Sequence, residues 1–136
     1  MQEWLMPYAP TIWAMGAMAG LFLVQILVVD FASIKAKHPP GTPVAADHGN
    51  FLFRAVRAHA NTNEGIASFI LLVLFGILSA VSPLWLNGLA WAYVLGRMGH
   101  MLCYYANMPT LRSTFFGVGL AALLAMLVAG VLPWLG

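Results

Sequence analysis

Arg57, Asn61 and Glu64 stand at i, i+4 and i+7 in the run Arg57-Ala58-His59-Ala60-Asn61-Thr62-Asn63-Glu64. On a helix this spacing places a guanidinium, an amide and a carboxylate on one face. Such a face can hold a zwitterionic or anionic ligand. Downstream, Arg97, His100 and Tyr104 repeat the pattern at i, i+3 and i+7. Arg112 follows, next to Ser113.

These side chains stand out because ionised groups are scarce. Six Lys and Arg and four Asp and Glu are the charged residues of the 136-residue chain, 7% of it, against 62% hydrophobic residues. Soluble domains average about 25% charged, so the composition is that of an integral membrane protein. An ionised side chain at mid-membrane costs roughly 2.5–3.5 kcal/mol on insertion scales. A cluster of them points to chemistry more than to folding. The net charge of +2 is too small to imply a nucleic-acid partner.

The elements that must position these residues are four hydrophobic segments, at about residues 8–34, 53–81, 84–107 and 112–133. Each reaches the ~20 residues needed to cross a bilayer. Ser82-Pro83 and Asn107-Met108-Pro109 make tight connections, so neighbouring helices should be antiparallel. The one long loop, 35–52, contains His38-Pro39-Pro40-Gly41-Thr42-Pro43 and is too polar to insert. The expected fold is an all-α four-transmembrane-helix bundle, a single domain over residues 1–136, with no long-period repeat.

Lys35, Lys37, Arg54, Arg57 and Arg112 all fall on one side of these spans. By the positive-inside rule, loops 35–52 and 107–112 are cytoplasmic and both termini lie opposite. Trp4, Trp13, Trp85, Trp91 and Trp134 fall towards that opposite side, as an interfacial belt would. The N-terminus bears Glu3 and no basic region, so the first helix is expected to serve as its own insertion signal. Small residues recur every fourth position at Gly16 and Gly20, at Gly88, Ala92 and Gly96, and at Gly117, Ala121, Ala125 and Ala129. Such stripes permit close packing, within one bundle or between subunits.

Counting ~1.5 Å per residue from Pro83, Arg97, His100 and Glu64 lie roughly 20–25 Å away, and Asn61, Tyr104 and Arg57 roughly 30–36 Å. Arg112, counted from Pro133, comes to roughly 32 Å. Polar residues of three helices thus share one leaflet and are expected to form one site. Arg97 and Glu64 could also offset each other's insertion cost as a structural ion pair, while Arg57 and Arg112 lie shallow enough to snorkel. His59 is expected to face a neighbouring helix or the headgroups, and His48 to face solvent. Histidines lack metal-ligand spacing, and the lone Cys103 precludes an internal disulfide or Cys-type zinc site and reads as a buried hydrophobe. No metal is expected.

The Arg57–Glu64 run resembles the signature of the MAPEG family, membrane-associated proteins in eicosanoid and glutathione metabolism. The block Gly96-Arg97-Met98-Gly99-His100, then Tyr104, then Pro109-Thr110-Leu111-Arg112-Ser113, strengthens the resemblance, which spans the whole chain. It implies a homotrimer that binds glutathione between subunits in the cytoplasmic leaflet. Arg57, Asn61 and Glu64 would then bind the tripeptide's charged ends, with His100 and Tyr104 lining the site. Arg112 would sit beside the thiol with Ser113 next to it, giving Arg112, Ser113 and Tyr104 as the catalytic group. Lys35 and Lys37 would reach towards a glutathione carboxylate.

The resemblance further implies a glutathione S-transferase- or peroxidase-like enzyme whose hydrophobic or lipid co-substrate enters from the bilayer. A compact chain that shows no targeting signal fits a bacterial inner membrane. Ala60 and Gly65 depart from the basic and the aromatic or polar residues of some members, which bears on how tightly glutathione is held. Two other readings stand beside it: a non-catalytic lipid-binding or regulatory member, and a small four-helix transporter. The latter would need a carboxylate in the first span, where Asp30 lies close to one end.

Overall fold

Residues 3–136 are described by a computed structural model. A short 3-10 turn, Glu3–Tyr8, leads into α1 (Ala9–Lys35). Then come α2 (Phe51–Leu78), α3 (Pro83–Tyr105) and α4 (Pro109–Val131), with a second 3-10 turn at Leu132–Trp134. Proline occupies the opening turn of α1, α3 and α4, where its fixed φ suits the helix and its missing N–H costs nothing. α2 instead opens on Asn50, whose side-chain oxygen accepts from the Leu52 amide at 2.9 Å. The first three helices end on left-handed residues, Lys37, Ala80 and Asn107. There, the amides of His38, Val81 and Met108 turn back onto the last helical turn.

The boundaries shift from the sequence expectation in one way that matters. α4 begins as soon as Pro109 allows, which places Arg112 at the end of its first turn rather than at the start of the helix. A second difference concerns composition. Three helical segments, Glu3–Lys35, Phe51–Leu78 and Pro109–Trp134, are long and apolar enough to cross a membrane, and α3 is not among them. α3 places its polar side chains where it packs: it contacts the other three helices, as α2 also does. It buries Arg97 and His100 along with Leu86, Tyr93 and Met101. Its exposed face is kept apolar by Leu84, Trp85, Leu95 and Leu102.

The core runs through Met18, Phe69, Val73, Leu86, Tyr93 and Met126. Opposite the 36–50 loop, polar groups tie the helix ends together. The Tyr8 hydroxyl donates to the Val81 carbonyl at 2.7 Å, and Trp91 Nε1 donates to the Pro10 carbonyl at 3.0 Å. Asn87 Oδ1 accepts from both the amide and the hydroxyl of Thr11, which satisfies a donor that the start of α1 leaves free.

The closest helix approach is between α3 and α4. A Cβ added at Gly96 would lie 3.0 Å from the Gly119 amide nitrogen and 3.2 Å from the Phe115 carbonyl oxygen. Both are backbone atoms, which cannot rotate away. Gly96→Ala is expected to lose about 1–3 kcal/mol of stability, read as a lower midpoint of thermal unfolding in detergent. An unchanged midpoint would mean that α3 and α4 do not pack so tightly. By contrast, Gly16, Gly20, Gly88 and Gly117 have open space before them. Those members of the small-residue stripes face outward.

Candidate functional site

α2 and α4 flank α3 around a cleft of about 240 Å³ whose walls include Asn61, Glu64, Gly65, Tyr93, Arg97 and Phe116. Arg97 projects from the middle of α3 and is 3% exposed. Its Nη2 donates to Asn61 Oδ1 at 2.8 Å and to Thr62 Oγ1 at 3.3 Å. Thr62 passes its own proton to the Ala58 carbonyl at 3.1 Å. This chain of bonds fastens α3 to α2 and holds the Asn61 amide at the cleft.

The anticipated Arg97–Glu64 ion pair does not form. Arg97 meets the inner face of α2, marked by the buried Ala55, Ala58, Thr62 and Phe69. Glu64 lies two residues beyond Thr62, roughly 200° further round the helix at ~100° per residue, and is exposed. Neutral oxygens therefore meet one nitrogen of the guanidinium, Nη2, and the carboxylate is left at the cleft rim.

Towards the end of the bundle where residues 36–50 join α1 to α2, the α3 stripe continues through His100 and Tyr104, both buried. The two rings meet edge to face with centroids 5.0 Å apart, and Phe116 of α4 lies 6.1 Å from His100. Arg112 reaches over from the first turn of α4, its guanidinium carbon 4.4 Å from the Tyr104 ring centre. Neighbouring Ser113 is exposed, and its hydroxyl donates to the Pro109 carbonyl at 3.1 Å. Among the described residues no carboxylate pairs with Arg112; an aromatic face holds it.

Arg57 continues the Asn61–Glu64 stripe outward and is half-buried. Lys35 and Lys37 are not brought to this cleft. Both are exposed on the far side of the bundle, because α1 packs on α2 and α3 while α4 lies against the opposite flank of α3. Lys37 instead borders a separate cleft of about 630 Å³ with Asp30, Ser33 and His38. His59 packs on Phe22 of α1 with ring centroids 4.6 Å apart, as expected of a histidine facing a neighbouring helix. Exposed His48 sets its ring edge-on to Phe53 at 5.1 Å. Cys103 is buried.

Thr62, Tyr93 and Phe116 belong to the site yet escaped the motif reading. Tyr93 carried a usable signal: it stands four residues before Arg97 and extends the stripe Tyr93, Arg97, His100, Tyr104. Thr62 carried a weaker one, a polar residue among the small residues of α2's inner face.

A helical bundle with apolar flanks, and a polar stripe near one end fed by three of its helices, defines an α-helical integral membrane protein. The model described as MAPEG family matches residues 10–132, nearly the whole chain. The chain belongs to the MAPEG family and is accordingly a membrane protein related to glutathione and eicosanoid metabolism. No curated protein matches it significantly.

Proposed function

We propose that this protein is a glutathione-dependent membrane enzyme that ionises the glutathione thiol. The thiolate is passed to hydrophobic electrophiles or lipid hydroperoxides arriving through the bilayer. The observation that carries this reading is the placement of Arg112. A guanidinium held by the face of Tyr104 keeps its charge uncompensated, ready for an anion beside it. A nearby fixed cation lowers a thiol's pKa, and arginine does this without surrendering a proton. The first-turn amides of α4 add positive potential at the same place.

Glutathione presents two carboxylates, an ammonium and the thiol. Arg57 and Arg97 suit carboxylates, Glu64 suits the ammonium, Asn61 can accept from or donate to a peptide group, and His100 stands behind Phe116 of the cleft wall. In conjugation, the thiolate sulfur forms a bond to carbon as the leaving group departs with its electron pair. In peroxide reduction, sulfur takes the distal oxygen, the O–O bond breaks to an alcohol, and a second glutathione resolves the sulfenic acid to disulfide and water. Ser113 can turn its hydroxyl from Pro109 to the sulfur.

Glu64 is exposed on a single chain, and a carboxylate facing hydrocarbon is costly. Together with the outward-facing Gly16, Gly20 and Gly117, this supports a homotrimer in which a neighbouring copy covers the cleft. Lys35 and Lys37 would then serve the cleft of a neighbour. The proposed setting is a bacterial inner membrane, with the 36–50 loop in the cytosol.

Purified protein in lipid nanodiscs, given glutathione with a chlorodinitrobenzene-type electrophile or a fatty-acid hydroperoxide, should turn over at least one of them. Turnover should saturate with glutathione. Glutathione bound without turnover of either would contradict the enzymatic reading and leave a binding protein.

A further inference from the structure

Tyr93 lies one helical turn deeper than Arg97 on the same α3 stripe. Its ring stacks on Phe69, centroids 4.5 Å apart and planes 13° from parallel, and the residue is 2% exposed. Phenylalanine would pack the same way. The hydroxyl, however, has no hydrogen-bond partner. An unmet buried hydroxyl is a liability.

Room for that hydroxyl depends on one residue of α2. A Cβ at Gly65 would lie 2.8 Å from Tyr93 Oη, and the next nearest atom of Tyr93 would be 4.0 Å away. Any side chain larger than hydrogen would displace the oxygen and little else. Gly65 and Tyr93 therefore act as a pair, glycine on one wall admitting a donor from the other. Close by, Arg97 Nε also lacks a partner, and the Glu64 carboxylate stands at the rim of the same cleft.

We infer that Tyr93 is a ligand-binding residue of the cleft. Its hydroxyl, admitted by Gly65, donates with the Arg97 guanidinium to the α-carboxylate of a γ-glutamyl group whose ammonium faces Glu64. Two donors beside one carboxylate complement an α-amino acid terminus, and glutathione has only one such end. The assignment rests on the glutathione reading above, and it directs the γ-glutamyl end towards the membrane centre and the glycyl carboxylate towards Arg57.

The test is calorimetric titration of the full chain in nanodiscs with glutathione and with γ-aminobutyryl-cysteinyl-glycine, which lacks the α-carboxylate. A hydrogen bond to a charged group corresponds to roughly 10- to 100-fold in affinity. Tyr93→Phe should weaken glutathione by that order and leave the truncated analogue unchanged. Gly65→Ala should mimic it, and the Gly65→Ala, Tyr93→Phe double variant should be no weaker than Tyr93→Phe alone. Equal losses for both ligands, or additive losses in the double variant, would reduce Tyr93 to a packing residue while glutathione binding stands. Absence of glutathione binding to the unaltered chain would remove the functional reading, and this assignment with it.

Discussion

Arg112→Ala should remove the ultraviolet thiolate absorbance of the glutathione complex at neutral pH while glutathione remains bound. On the proposed reading Arg57, Asn61, Glu64 and Arg97 hold most of the tripeptide and the substitution leaves them in place, so affinity should change by less than about tenfold. The rate should fall by a factor on the order of 10²–10³, the usual cost of losing one preorganised electrostatic partner of the reacting atom. The sign of the pH effect follows from the chemistry. With the cation gone, the thiol returns towards its ordinary value of about 8.5, and residual activity should rise with pH as free thiolate forms. Arg112→Lys should recover part of the rate, because charge is kept but the flat guanidinium stacked on Tyr104 is lost. Undiminished thiolate absorbance in Arg112→Ala would refute the role given to this residue.

Arg97→Met should leave the fold as stable as before, or raise stability by about 1–3 kcal/mol, while glutathione affinity falls tenfold or more. Arg97 is nearly inaccessible, and its two recorded hydrogen bonds go to neutral oxygens, with no carboxylate close enough to pair. Replacing a buried charge by an apolar chain of similar length removes a desolvation penalty that such bonds offset only in part. On the proposed reading the guanidinium is kept for its ligand. A clear loss of stability in Arg97→Met with affinity unchanged would make it a structural pillar instead. Thermal unfolding in detergent, paired with calorimetry, separates the two outcomes.

Much of this site could be read from spacing. Asn61 and Glu64, and Arg97, His100 and Tyr104, were each placed on one face by helical periodicity, and both faces do border the region between α2, α3 and α4. What spacing cannot convey is how one helix is rotated against another. Glu64 and Arg97 have similar depths, which made an ion pair reasonable. The azimuth of Thr62 on α2's inner face decides otherwise. Lys35 and Lys37 were assigned from their position at the end of the first span, but depth carries no information on which flank of the bundle α1 occupies. The third segment reads as a span by its length, although its polar side chains, buried against neighbouring helices, make it less apolar than the other three. In sequence Tyr93 reads as core, an aromatic residue in an apolar segment, and only the fold shows its hydroxyl without a partner. The Gly96 contact was visible only as a small residue in a stripe, and its partner Gly119 lies in no stripe at all.

The most direct test is an ultraviolet difference titration of the unaltered protein in lipid nanodiscs at neutral pH, with glutathione in one cell and S-methylglutathione in the other. Absorbance from ionised thiol should grow and saturate with glutathione, stay flat with the S-methyl compound, and collapse when the latter is added as a competitor. A flat response to glutathione across the range would contradict a cleft in α2, α3 and α4 built to bind and ionise its thiol.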